Sequence, residues 1–177
     1  INKMLKRKIE QTLLSWFEDK NRNPLILKGC RQCGKTFSTL QFAKQHYSQV
    51  VYLNFFENPE YKAIFENSLQ VDHLIMMMSA FVGPTVGFVP HETVIVLDEI
   101  QECPQARTAL KFFKLDGRFD VLATGSLLGI SGYRSQDYSV PVGYETIVDM
   151  YPLDFEEFLW ANGIDVSLIP KFSLGIS

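Results

Sequence analysis

Leu25-Ile26-Leu27-Lys28-Gly29-Cys30-Arg31-Gln32-Cys33-Gly34-Lys35-Thr36 is the stretch on which the fold turns. The run Leu25-Ile26-Leu27 reads as a short buried strand, and residues 35 to about 46 read as a helix. Between them, residues 29–36 match the pattern G-x-x-x-x-G-K-[ST]. Glycine at both ends of such a loop lets the backbone curl until successive N–H groups point inward around an anion. A helix that starts at Lys35 adds the positive end of its dipole. The pattern therefore predicts a phosphate cradle for ATP built from Gly29, Cys30, Arg31, Gln32, Cys33, Gly34, Lys35 and Thr36. Lys35 is expected to reach the β- and γ-phosphates, and the Thr36 hydroxyl to bind Mg²⁺. A glycine-rich turn of no function would not need to lie between a strand and a helix.

Cys30 and Cys33 also form C-x-x-C, which suits a redox or zinc pair. Zinc needs further ligands, and His46, His73 and His91 are scattered singly. A redox pair would have to share its loop with the phosphates. The plainer reading is two variable positions of the loop.

Outward from this stretch, Leu5, Ile9, Leu13, Trp16 and Phe17 recur at helical spacing and predict an amphipathic helix over 3–18. Apolar runs at 50–55, 93–97, 121–123 and 146–150 predict further strands, with a helix around 106–115. Residues 75–81 are apolar on all sides and stop at Gly83-Pro84, so a buried helix is expected there, with Met76-Met77-Met78 in the core. Strands that are continuous apolar runs, alternating with helices, indicate a parallel sheet covered on both faces. Asp154 and Glu157 make a capping pattern for a helix bearing Phe155, Phe158, Leu159 and Trp160, with Gly163 as its stop. The polar stretch 132–139 reads as a loop.

Val94-Ile95-Val96-Leu97-Asp98-Glu99 is a buried strand that ends in two carboxylates. Ligands of parallel sheets bind at the carboxyl ends of strands, where this pair would emerge. Asp98 suits the Mg²⁺ shell, reached through water. Glu99 suits a general base that orients the water attacking the γ-phosphate. A third strand end, Thr124-Gly125-Ser126, offers hydroxyls to the γ-phosphate or that water, although Ser and Thr are also common turn formers.

Of the 177 residues, 46% are hydrophobic and 21% charged, a globular composition long enough for one domain. The net charge of −3 argues against a surface devoted to nucleic acid, while leaving room for a local basic patch. Lys6-Arg7-Lys8 is such a run, with the solvated face of a helix as its plainer reading. Three cysteines give no disulfide framework, and no apolar run approaches a membrane span. A cytoplasmic protein is expected.

The chain resembles a family of prokaryotic AAA+-type ATPases. The resemblance rests on four ordered motifs: Arg31-Gln32-Cys33-Gly34-Lys35-Thr36, Asp98-Glu99-Ile100-Gln101-Glu102, Gly125-Ser126-Leu127-Leu128-Gly129, and Pro141-Val142-Gly143 with Tyr151-Pro152-Leu153-Asp154-Phe155-Glu156-Glu157-Phe158-Leu159. It implies an α/β P-loop NTPase core with a parallel five-stranded sheet of order 5-1-4-3-2 and helices on both faces. It also implies Ser126 as the residue that senses the γ-phosphate. On this reading residues 1–163 form the ATP-binding domain, and 164–177 begin a truncated or disordered C-terminal region. Relatives continue into a nuclease-like domain, which is expected to carry the partner contact, and AAA+ sites are often completed in a homo-oligomer. Arg134 stands where such proteins often place an arginine finger, against the plainer reading of a solvated loop arginine. Tyr144 departs from the pattern, because many relatives carry a basic residue there.

The expected function is Mg²⁺-dependent ATP hydrolysis, with Lys35, Glu99 and Ser126 acting on the phosphate. The alternatives are a switch that holds ATP with little hydrolysis, which has no need of Glu99, and a small-molecule kinase, which does not account for Asp98-Glu99 followed by a sensor.

Overall fold

The computed structural model describes residues 8–29, 34–126, 143–150 and 163. Helix α1 (Lys8–Glu18) precedes strand β1 (Leu25–Gly29), helix α2 (Lys35–His46) and strand β2 (Gln49–Asn54). A 3-10 segment (Pro59–Phe65) leads to α3 (Val71–Val82), β3 (Thr93–Asp98) and a second 3-10 turn (Ile100–Glu102). Helix α4 (Pro104–Asp116), β4 (Asp120–Ser126) and β5 (Thr146–Met150) complete the described elements.

All five strands are parallel, in the order β2-β3-β4-β1-β5. Read from the other edge this is 5-1-4-3-2, the order that the family resemblance implies. Side chains alternate between two cores, as the two-residue period of a strand requires. Leu25, Leu27, Val94, Val96 and Leu122 face α1 and α2, packing on Ile9, Leu13, Trp16, Phe42 and Ala43. Ile26, Ile95, Leu97, Val121 and Ala123 face the other way, toward α3, α4 and the first 3-10 segment. Being buried on both faces, the central strands have no room for polar alternation, which is why they read as continuous apolar runs.

At the amino end of the sheet, Arg22 pairs with Asp120 at 2.7 Å while stacking on Phe17 at 5.1 Å. The Tyr47 hydroxyl donates to the same Asp120 oxygen at 2.6 Å, joining the ends of α2 and β4. Trp16 closes the base of α1 through Nε1–H to the Asn23 carbonyl, at 2.7 Å.

One expectation fails. Helix α3 is not buried all round: Val71, Leu74 and Met78 are covered, whereas Met76 is 60% exposed and Phe81 38% exposed. Among the described residues it packs on one face only, and Met76-Met77-Met78 is only partly core. Apolarity fixes which residues tolerate burial, not how many neighbours a helix has.

Among the described residues, no helix is long and apolar enough to cross a membrane. Outside them lie the start of the first helix at 3–7, the loop at 132–139 with Arg134, the helix expected from Asp154 and Glu157, and the region 164–177.

Candidate functional site

The parallel sheet brings the carboxyl ends of its strands to one edge, which gathers Gly29, Asn54, Asp98 and Ser126. Pairing sets the neighbours there: Gly29 lies opposite Ser126, and Asn54 opposite Asp98. Gly34 then turns the chain into α2 with φ 85°, a left-handed conformation that glycine adopts without penalty. Helix α2 begins with no side-chain cap and no acidic residue in its first turn. Its first N–H groups thus have no carboxylate from their own turn, and the dipole end favours an external anion. Lys35 is buried at the first position, with its ammonium 3.1 Å from the Gly29 carbonyl. A cation at a helix amino terminus opposes the dipole, so this placement suits a site that receives a strong anion. Four cradle residues, Cys30, Arg31, Gln32 and Cys33, lie outside the described residues.

Asp98 is the centre of the polar network. Its carboxylate is 2% exposed, yet donors surround it. Thr36 donates at 3.1 Å to Oδ1 and 3.0 Å to Oδ2. The Thr124 hydroxyl donates to Oδ1, while the Tyr52 hydroxyl and the Asn54 amide (3.3 Å) donate to Oδ2. A carboxylate has about four lone-pair sites, so these donors leave it no spare one for a direct metal bond. Burial, reinforced by the hydrogen bond to Asp98, pushes the Tyr52 hydroxyl pKa well above the usual tyrosine range and keeps it a donor. Asn54 is fixed from both ends, since its Oδ1 accepts the N–H groups of Phe56 and Glu57, each at 2.9 Å.

Glu99 follows with φ 56°, a left-handed conformation rarely held by a residue with a side chain. Its N–H donates to Thr124 Oγ1 at 3.2 Å, so Thr124 braces both acids. The Glu99 carboxylate accepts from Gln101 Nε2 at 2.5 Å. Ser126 is buried at the end of β4, and its N–H reaches Gln101 Oε1 at 3.4 Å.

An open cleft of about 580 Å³ lies over this edge, lined by Gly34, Lys35, Thr36, Glu99 and Gln101 with Phe37 and Phe56 at its side. The described residues contain no cluster of three or more His, Cys, Asp or Glu able to hold a metal alone. Mg²⁺ does not ask for one, because it keeps several waters and takes few protein ligands. A threonine hydroxyl that donates to a buried carboxylate still has two lone pairs, and Thr36 lines the cleft, so the Thr36 oxygen, held by Asp98, is a hard ligand that fits Mg²⁺.

The sequence thus names Gly29, Gly34, Lys35, Thr36, Asp98, Glu99 and Ser126, and the fold brings them together. It does not single out Tyr52, Asn54 or Gln101. Tyr52 and Asn54 meet Asp98 through the β2–β3 register, which one sequence does not reveal. Gln101 carried a signal, two residues after Glu99 in the acidic motif.

The family model described as AAA domain matches residues 21–159. The chain belongs to the AAA domain family. Among solved structures it is similar to the Aeropyrum pernix ORC2 protein in its ADPNP-ADP complexes, with 16% identity and a TM-score of 0.54, covering 86% of this chain and 47% of that one. The ADP form of the same protein gives 13% identity and a TM-score of 0.51, covering 92% and 53%. At that identity the likeness shows the fold, and this AAA domain spans about half the length of those chains. A search of curated proteins finds no significant match. Family membership supports nucleotide binding by this domain.

Proposed function

We propose that this AAA domain binds Mg²⁺-ATP in the cleft at the carboxyl edge of its sheet and hydrolyses the terminal phosphate. The observation that carries the reading is the meeting of Lys35, Thr36 and Glu99, from two separate strand ends, around one cleft, with buried Asp98 bonded to Thr36. The loop N–H groups, the amino end of α2 and the Lys35 ammonium bind and orient the phosphates. Thr36 would offer its lone pairs to the cation, and Asp98, saturated with donors, would act on it through the Thr36 hydroxyl that it holds. A bound Mg²⁺ supplies charge neutralisation at the β- and γ-phosphate oxygens. Glu99, at the side of the cleft, holds the attacking water and accepts its proton as the new oxygen–phosphorus bond forms and the bond from the γ-phosphorus to the β–γ bridging oxygen breaks, releasing ADP and phosphate. Ser126, buried at the end of β4, contacts the γ-phosphate.

Single-turnover hydrolysis by Glu99→Gln tests this reading. The variant keeps size and polarity but cannot take a proton, so it binds Mg²⁺-ATP normally and turns over about 10²-fold or more slower. Hydrolysis at the wild-type rate would contradict it and favour a switch that holds ATP without using Glu99.

A further inference from the structure

We propose that Gln101 is a positioning residue for hydrolysis: its side-chain amide fixes the Glu99 carboxylate and ties it to the backbone end of the β4 strand. The inference rests on the hydrolytic reading above and names a residue which that reading does not require. The left-handed Glu99 backbone bends the chain sharply after β3, and Ile100 anchors the bend in the core at 1% exposure. The 3-10 turn that follows returns Gln101 against the acid two positions earlier.

The amide faces two partners that select the same orientation. A carboxylate only accepts, so Nε2 must face Glu99, where it lies 2.5 Å from Oε2. A backbone N–H only donates, so Oε1 must face Ser126, at 3.4 Å. The contact to the charged group is the short one and dominates. Glu99 Oε2 is therefore occupied, whereas Oε1 has no protein donor among the described residues. One oxygen is held and the other is left to the water in the cleft that Glu99 and Gln101 both line. A long carboxylate tethered at one oxygen loses most of its rotamer freedom, which is what a base must lose to meet a water in line with the γ-phosphate.

The test compares Gln101→Met, which keeps the length and loses the amide, with Gln101→Glu, which can still accept from Ser126 but repels Glu99. Each is measured for kcat, for KM and for Mg²⁺-ATP affinity by calorimetry, with a melting curve to show that it folds. Both variants are expected to lose at least about tenfold in kcat, with affinity within about twofold of wild type. In a Glu99→Gln background, Gln101→Met is expected to add almost nothing, because residues acting as a unit are not additive. Wild-type kcat in Gln101→Glu, or equal losses in the two backgrounds, would overturn the role while leaving hydrolysis by Glu99 standing. A Glu99→Gln variant as fast as wild type would remove the hydrolytic reading itself, and this proposal with it.

Discussion

The Thr36 hydroxyl lies 3.1 and 3.0 Å from the two carboxylate oxygens of Asp98, a contact that spans 62 positions of sequence and joins the first turn of α2 to the end of β3. The pair works through one atom with two roles: the hydroxyl donates to the carboxylate and keeps its lone pairs for a cation. Thr36→Val preserves the shape and removes both roles. We expect wild-type ATP affinity to rise when Mg²⁺ is added, and affinity in Thr36→Val to be nearly indifferent to Mg²⁺. Calorimetric titrations with and without the metal decide this, and an equal gain in the variant would count against Thr36 as a metal ligand.

Tyr52 tests the network from the other side. Tyr52→Phe removes one of the donors to Asp98 while keeping the ring. A hydrogen bond to a charged group contributes about 1.5–3 kcal/mol, so urea unfolding should show a loss at the low end of that range, since Tyr52 is only half-buried. ATP affinity should fall less than in Asp98→Asn, which replaces an acceptor by a donor among the surrounding donors. Unchanged stability in Tyr52→Phe would mean that water replaces the hydroxyl at no cost.

The tyrosines also set an alkaline limit. Burial, and then the hydrogen bond and charge of Asp120, raise the Tyr47 hydroxyl pKa above its ordinary value of 10.0. Burial and Asp98 do the same for Tyr52. A raised folded-state pKa means that the unfolded chain releases the proton first, so this stability is fully present below about pH 10 and is lost as pH rises beyond it. Denaturation between about pH 8 and pH 11 should show a steep decline in the wild type and a shallower one in Tyr47→Phe. The same slope in both would exclude Tyr47 as a source.

The exposure of α3 can be tested within one turn of helix. Met78 is fully buried and Met76 is 60% exposed. Met78→Ala should cost about 2–5 kcal/mol, and Met76→Ser no more than about 0.5 kcal/mol. Comparable losses in the two unfolding curves would return Met76 to the core.

Much of this architecture is legible in the residues because its signals are local. The strand Leu25-Ile26-Leu27, the glycine loop and the helix from Lys35 occupy adjacent positions, and the structure places β1 and α2 there. Asp98 ends, and Glu99 follows, a strand buried at every position from Thr93 to Asp98. What the sequence does not disclose is non-local. The partnership of Tyr52 and Asn54 with Asp98 depends on strand register, and the open face of α3 depends on which neighbours it lacks. The Gln101 contact is short in sequence, but it requires the left-handed Glu99, which no propensity favours in a glutamate.

The central claim is that the cradle from Gly29 to Thr36 binds the phosphates of ATP. Lys35 is buried beside it, with its ammonium over the Gly29 carbonyl. The most direct measurement is calorimetric titration of Mg²⁺-ATP into wild type and into Lys35→Ala, each shown to be folded by its circular dichroism and melting curve. We expect saturable binding by the wild type and a loss of affinity of about a hundredfold or more in the variant, the equivalent of about 2.7 kcal/mol or more. Undiminished affinity in a folded Lys35→Ala would contradict the account.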